Sequence, residues 1–213
     1  MKVLVACEFS GVVRDEFSKL GHDAWSCDLL PSDKSGNHYQ CDVLDVLNLR
    51  WDLMIAHPPC TWLCAAMRTN AARKDRPTVS TQFHSQREKA FRFVKTLYDC
   101  SVQKICVENP IGYLNGAWKK PDQIIRPFMF GHPYRKDICL WLKNLPRLMP
   151  THEQEDNLLY PVENGRKLLD FWSKNRNPDG RSLKSITFSG IAKAMAEQWG
   201  KTESILAAAS NKA

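Results

Sequence analysis

A mostly parallel, doubly wound α/β sheet is the fold class that this 213-residue sequence predicts. Three observations lead there. Apolar runs of strand length alternate with stretches of helical periodicity. Several runs are apolar without alternation, as strands buried on both faces are. Each run then breaks off at a charged or turn-forming residue, and in open α/β sheets the carboxyl ends of strands are where ligands collect.

The elements follow in order. Val3-Leu4-Val5-Ala6 is a buried strand, with Phe9-Ser10-Gly11 as the turn behind it. Val12, Val13, Phe17 and Leu20 make a helical stripe, closed by Gly21 as a C-cap. Asp23 to Cys27 is a second strand ending at Asp28, before a Ser/Gly/Asp-rich loop from Pro31 to Asn37. Tyr39 to Val43 reads as a third strand, with Asp42 at its end. Trp51 to Ala56 reads as the fourth and leads into His57-Pro58-Pro59-Cys60. Phe83, Arg87, Ala90, Val94 and Leu97 recur at helical spacing, so an amphipathic helix is expected over residues 82–99. Lys104 to Val107 is a fifth strand running into Glu108-Asn109-Pro110, and Ile138 to Leu142 is a sixth. Residues 150–185 are polar and irregular, and Ile191, Met195, Gln198 and Trp199 suggest a closing helix.

Composition narrows the function classes. No apolar stretch approaches the roughly 20 residues that span a bilayer. The eight cysteines contain no Cys-x-x-Cys pair, so no metal site is expected. Without a secretion signal they are read as reduced thiols, and a cytoplasmic location is expected. The net charge of +7 is unevenly placed. Residues 1–60 carry five Lys/Arg against nine Asp/Glu, whereas residues 65–95 carry eight against two. The basic stretch, which includes Arg68, begins just beyond Cys60, where a polyanion could lie across the chain. A solvated helix face is the alternative reading.

The proline loop is the most informative segment. Each proline fixes φ and restricts its predecessor, so Cys60 sits on a stiff loop at a strand's carboxyl end. A Pro-rich turn ending in one more buried thiol is the alternative. Gly11, with an acid 17 residues later at Asp28, resembles a nucleoside-binding half-sheet in which the acid meets ribose hydroxyls. One glycine in place of three disfavours NAD or FAD, and a cofactor without pyrophosphate needs fewer. Asp42 could accept from an adenine amino group, although acids also simply terminate strands. Cys60 and Glu108 together suggest the chemistry. A thiolate adding to C6 of cytosine makes C5 nucleophilic, and a carboxyl near N3 supplies a proton. That scheme expects a Glu108 pKa raised to keep the proton and a Cys60 thiol eased into ionisation by basic neighbours. The target base must be flipped out or already single-stranded.

These residues resemble the DNA cytosine-C5 methyltransferases, of the small kind found in bacteriophages and prophages. The resemblance implies a Rossmann-like class I methyltransferase fold using S-adenosyl-L-methionine to methylate DNA. Pro59-Cys60 is similar to the family's Pro-Cys nucleophile motif, and Glu108-Asn109 to its Glu-Asn-Val motif with Pro110 in place of valine. Both Glu108 and Asn109 would then be catalytic beside Cys60. Phe9-Ser10-Gly11 resembles the first cofactor motif, Asp28 and Asp42 the ribose and adenine acids, and Ser189-Gly190-Ile191 the last cofactor motif. Tyr134-Arg135-Lys136 resembles the basic motif that contacts substrate. Pro59 and Gly190 are thereby expected at the cofactor, and Thr61, Cys64, Arg68, Arg135 and Lys136 at the substrate.

The departures are Val13 and Arg14 where the family usually has glycines, Thr61 for Gln, and Asp137 within the basic motif. The catalytic domain is expected over 1–142 and 186–200, followed by a tail at 201–213. The short segment 143–185 stands in place of a target-recognition domain, which implies relaxed specificity or targeting by a partner. Other readings stay open: an N6-adenine or N4-cytosine amino-methyltransferase, a cofactor- or nucleic-acid-binding phage protein without catalysis, or action on RNA or free nucleotide. His57 is expected to be a loop residue satisfied by backbone. Trp141 and Trp199 are expected in the core, and Trp62 near substrate.

Overall fold

A computed structural model of the chain describes residues 1–65, 77–132, 136–152 and 186–201, with side chains from residue 82 onward in the second segment. Among the described residues seven strands form one sheet. They are β1 (Lys2–Ala6), β2 (Asp23–Asp28), β3 (His38–Gln40), β4 (Leu53–Ala56), β5 (Lys104–Pro110), β6 (Gln123–Ile125) and β7 (Ile138–Lys143). Their spatial order is β3-β2-β1-β4-β5-β7-β6. Strands β1 to β5 pair in parallel, and β7 runs antiparallel to both β5 and β6. The helices are α1 (Val12–Lys19), α2 (Pro77–Asp99), the single turn α3 (Leu114–Ala117) and α4 (Ser189–Trp199).

Strand periodicity explains the layers. Val3, Val5, Leu53, Ile55 and Cys106 face one way and pack with Val13 and Phe17 of α1 and Ile191, Met195 and Trp199 of α4. Leu4, Ala6, Met54, Ala56, Ile105 and Val107 face the other way and pack with Val94 and Leu97 of α2. Successive side chains point to opposite faces, so unbroken apolar runs are what a sheet covered on both sides requires. Each fully buried Val, Leu, Ile or Met here contributes about 1.5–3 kcal/mol. The two faces follow from chain direction. β1-α1-β2 steps toward one edge of the sheet and β4-α2-β5 toward the other, and right-handed crossovers then put α1 and α2 on opposite faces. The switch point lies between β1 and β4, where a crevice opens beyond the strands' carboxyl ends.

Two expectations are corrected. β3 stops at Gln40, short of Val43. Asp42 instead caps the 3₁₀ turn Val43–Asp45, its carboxylate accepting from the Leu44 N–H at 3.0 Å. A short acid offered a local donor bends the chain out of the ladder. β6 was not expected at all, because three residues between Pro121 and Pro127 give no readable period. Trp141 and Trp199 are fully buried, as expected. Beyond β7 the chain buries Leu148 in the core under α4, while 153–185 and 202–213 lie outside the described residues. Among the described residues no helix is long and apolar enough to cross a membrane.

Candidate active site

A cavity of about 320 Å³ opens where the switch point demands. Cys7 and Phe9 after β1, Asp28 at the end of β2, His57 to Thr61 after β4 and Glu108 to Pro110 of β5 line it. Parallel pairing alone would collect these groups at one edge. The reversed strand adds to them. Glu108 pairs with Leu140 and Pro110 with Ile138, so β7 begins where β5 ends and delivers Lys136 and Ile138 to the cavity. Ile186, Thr187 and Phe188 ahead of α4, with its Ile191 and Met195, complete the lining.

The Cys60 loop is held from both sides. The Cys60 carbonyl accepts from the Leu63 and Cys64 N–H groups, each at 2.9 Å, which closes one turn behind the thiol. That turn packs against the end of β5, where the Tyr113 N–H donates to the Leu63 carbonyl at 2.7 Å. The approach needs a glycine, because a Cβ on Gly112 would sit 2.1 Å from the Leu63 carbonyl oxygen. From α2, Arg87 donates to the Trp62 carbonyl at 3.2 Å while its guanidinium stacks on Phe83 and Tyr113. Arg87 is thus buried structure, whereas Lys89, Arg92 and Lys95 of the same basic stretch are exposed. Trp62 packs edge-on against Phe83.

Electrostatics revise both expected ionisations. Burial raises the Cys60 thiol above its ordinary value, Cys64 and Glu108 add to the rise, and Lys136 opposes it. Glu108 was expected high and is lowered. Burial pushes its carboxyl up, but the hydrogen bond and charge of His57, helped by Lys136, outweigh that. His57 Nδ1 lies 3.2 Å from Glu108 Oε2, so this histidine is not merely a loop residue satisfied by backbone. Asn109 is fully buried, and its amide donates to the Pro58 carbonyl at 2.8 Å. On this geometry Asn109 positions the proline loop.

The turn after β1 is built differently from its sequence appearance. Gly11 adopts the left-handed region at φ 68°, as expected of a turn glycine. The first helical donors are satisfied by Glu8, whose carboxylate accepts from Val13 at 2.7 Å and Arg14 at 3.3 Å. Arg14 fills the space beside Gly11 and Gly36, donating to Asp15, Ser26, Ser32 and the Ser35 carbonyl. A buried guanidinium therefore braces the loop between β2 and β3 where a glycine-rich sequence would leave room.

Of the expected site residues, the cavity brings together Phe9, Asp28, Pro59, Cys60, Thr61, Glu108, Asn109 and Lys136. Ser10 and Gly11 shape the turn without lining the cavity. Asp42 is exposed on its 3₁₀ turn and outside the lining, its carboxylate engaged with Leu44. Gly190 lies on a second depression, its N–H donating to His132 Nε2 at 2.9 Å, while its neighbour Ile191 reaches the cavity. Cys64 bridges to Gly112 behind the loop. Arg68 and Arg135 lie outside the described residues, as does Tyr134. Asp137, which interrupts the basic motif, pairs with Arg126 at 2.6 Å.

Sequence reasoning missed Cys7, His57 and Phe188. Cys7 holds a left-handed φ of 59°, which no residue pattern announces. His57 had a signal in its adjacency to the proline loop, but its partner is 51 residues away. Phe188 directly precedes the Ser189-Gly190-Ile191 motif. No protein-family model matches the chain, and a search of curated proteins returns no significant match. The fold and site define an α/β protein with a mixed, mostly parallel seven-stranded sheet and a thiol–carboxyl cavity at its carboxyl edge.

Proposed function

We propose that the chain is an S-adenosyl-L-methionine-dependent methyltransferase with a Rossmann-like class I fold. Within that class, its substrate is DNA and its target carbon 5 of cytosine. The observation that carries this reading is the meeting of Cys60, Glu108 and Lys136 in one cavity with Asp28, Phe9 and Phe188. The parallel order β3-β2-β1-β4-β5 supports the class, since it is the nucleotide-binding arrangement of doubly wound sheets.

The residues present fit an adenosyl group. Asp28 accepts from the Leu30 N–H with Oδ1 at 2.9 Å, leaving its second oxygen for ribose hydroxyls. Phe9, Leu30 and Phe188 offer apolar surface to a purine, and Arg14 fills the space beside the Gly11 turn. When bound, the cofactor supplies an electrophilic methyl on a sulfonium centre. The chain's own residues do the rest. Cys60, as thiolate, forms a bond to C6 and pushes the ring's electron pair toward C5, while Glu108 gives a proton to N3. C5 thereby becomes the nucleophile that a methyl donor requires. Loss of the C5 proton to a base then expels the Cys60 sulfur, and N3 returns its proton to Glu108. Lys136 favours the thiolate throughout. The exposed cations of α2 suit a polyanionic substrate.

The test is methyl transfer from labelled donor to single-stranded DNA, duplex DNA, RNA and dCMP, with analysis of the modified base. C5-methylcytosine in DNA is the expected product, and Cys60→Ser should abolish it while cofactor binding persists. Label in N6-methyladenine, label confined to RNA or dCMP, or full activity in Cys60→Ser would overturn the reading.

A further inference from the structure

His57 lines the cavity against the Glu108 carboxyl and within electrostatic reach of the buried Glu8 carboxyl. Its backbone N–H donates to the Ala6 carbonyl at 2.9 Å, which fixes the residue at the switch point between β1 and β4. Its side chain is 8% exposed, with Nδ1 turned 3.2 Å from Glu108 Oε2. Nε2 is buried without a hydrogen-bond partner. Glu8, on the turn after β1, lies close enough for the His57 charge to act on its buried carboxyl. The charged and titratable groups around this ring are therefore Glu8 from the β1–α1 turn, Glu108 from β5, Lys136 from the start of β7 and the Cys60 thiol from its own loop.

A carboxylate paired to a histidine has no proton of its own to give a base. The pair has one. We propose that His57 is the proton store of this site, handing its Nδ1 proton through Glu108 to the ring nitrogen of the pyrimidine. The inference rests on the cytosine methyltransferase reading and adds a residue to it.

The balance is simple. In the charged pair, imidazolium Nδ1–H faces carboxylate Oε2. Transfer of that proton leaves neutral imidazole with its hydrogen on Nε2 and converts Glu108 to a neutral carboxyl. Glu108 passes the proton to N3 as the Cys60–C6 bond forms. When that bond breaks, N3 returns the proton to Glu108 and Glu108 returns it to Nδ1, so the pair is regenerated each turnover. Burial of the ring keeps the exchange away from bulk water.

Two substitutions separate proton storage from mere support. His57→Asn keeps an amide donor near the Nδ1 position without a transferable proton, and His57→Gln displaces the donor. The pH profile of DNA methylation should show a wild-type limb that falls as pH rises, and both variants should lose it. Both should also lose kcat at least about tenfold with an unchanged Kd for adenosylmethionine. Recovery of kcat and of the limb in His57→Asn would reduce His57 to a prop and overturn the proposal. The pair itself is read without turnover, from ¹³C-carboxyl NMR of labelled glutamate. In His57→Gln the Glu108 midpoint should rise, and an unchanged midpoint overturns the pair whatever the enzyme does. A wild-type protein that methylates no cytosine, with the Glu108 midpoint still responding to His57, sinks the methyltransferase reading and leaves the pair standing.

Discussion

The Asn109 amide donates to the Pro58 carbonyl at 2.8 Å and so ties β5 to the loop two residues ahead of Cys60. This buried hydrogen bond and the His57–Glu108 contact together join the strand that carries Glu108 to the loop that carries the thiol. Glu108 and Asn109 are successive strand residues and so face opposite sides of the sheet, yet both reach the cavity, Glu108 against His57 and Asn109 against the Pro58 carbonyl. Asn109→Ala leaves a buried carbonyl unpaired. It should cost about 1–3 kcal/mol in thermal unfolding and lower methyl transfer with it. A variant with wild-type stability would show that the bond contributes nothing.

Gly112 allows two backbones to meet. A methyl there would stand 2.1 Å from the Leu63 carbonyl oxygen, and backbone does not yield cheaply. Gly112→Ala should destabilise by about 1–3 kcal/mol and change the alkylation rate of Cys60. Gly116→Ala is the control, since nothing lies within 4 Å of its added Cβ. It sits in a helical turn and should gain about 0.5–1 kcal/mol. Denaturant midpoints compare the two directly.

The Cys60 thiol lies above its ordinary value of 9.0, with burial the largest cause and Lys136 opposing. Alkylation by iodoacetamide should therefore keep accelerating as pH rises past 9 rather than level off there. Lys136→Gln removes the opposing charge and should slow alkylation at pH 8. A faster reaction in that variant would contradict the placement of Lys136.

Glu108 titrates below its ordinary value of 4.5 in the folded protein. A carboxyl depressed by folding contributes stability above its unfolded pKa and loses it as pH falls through the lower folded value. The stability difference between wild type and Glu108→Gln should thus be constant near neutrality and shrink progressively below about pH 4.5. Urea unfolding at pH 7, 5 and 3.5 measures it. A difference that grows toward acid would reverse the sign assigned to the His57 pair.

Much of this architecture was legible in the residues. The unbroken runs Val3–Ala6, Leu53–Ala56 and Ile105–Val107 announced strands covered on both faces, and Phe83, Val94 and Leu97 announced the helix that covers one of them. Periodicity and burial are local enough to be read from one chain. Because parallel strands share a direction, the groups that follow them had to gather along one edge, and Phe9, Asp28, Cys60 and Glu108 did. Asp42 was expected to end a strand and instead caps a 3₁₀ turn, because the neighbouring Leu44 N–H donates to its carboxylate.

What a linear reading lacked was every relation set by pairing across long separations. Only the tertiary structure decided that β7 runs backwards, which is how Lys136, expected at the substrate, reaches the cavity. Only it showed Arg14 filling the space beside the glycine turn, and Glu8 capping α1. It also reversed the expected shift at Glu108, because a carboxyl's acidity depends on which donor faces it. That donor, His57, follows directly on another strand, and proximity between strands is a property of the folded sheet.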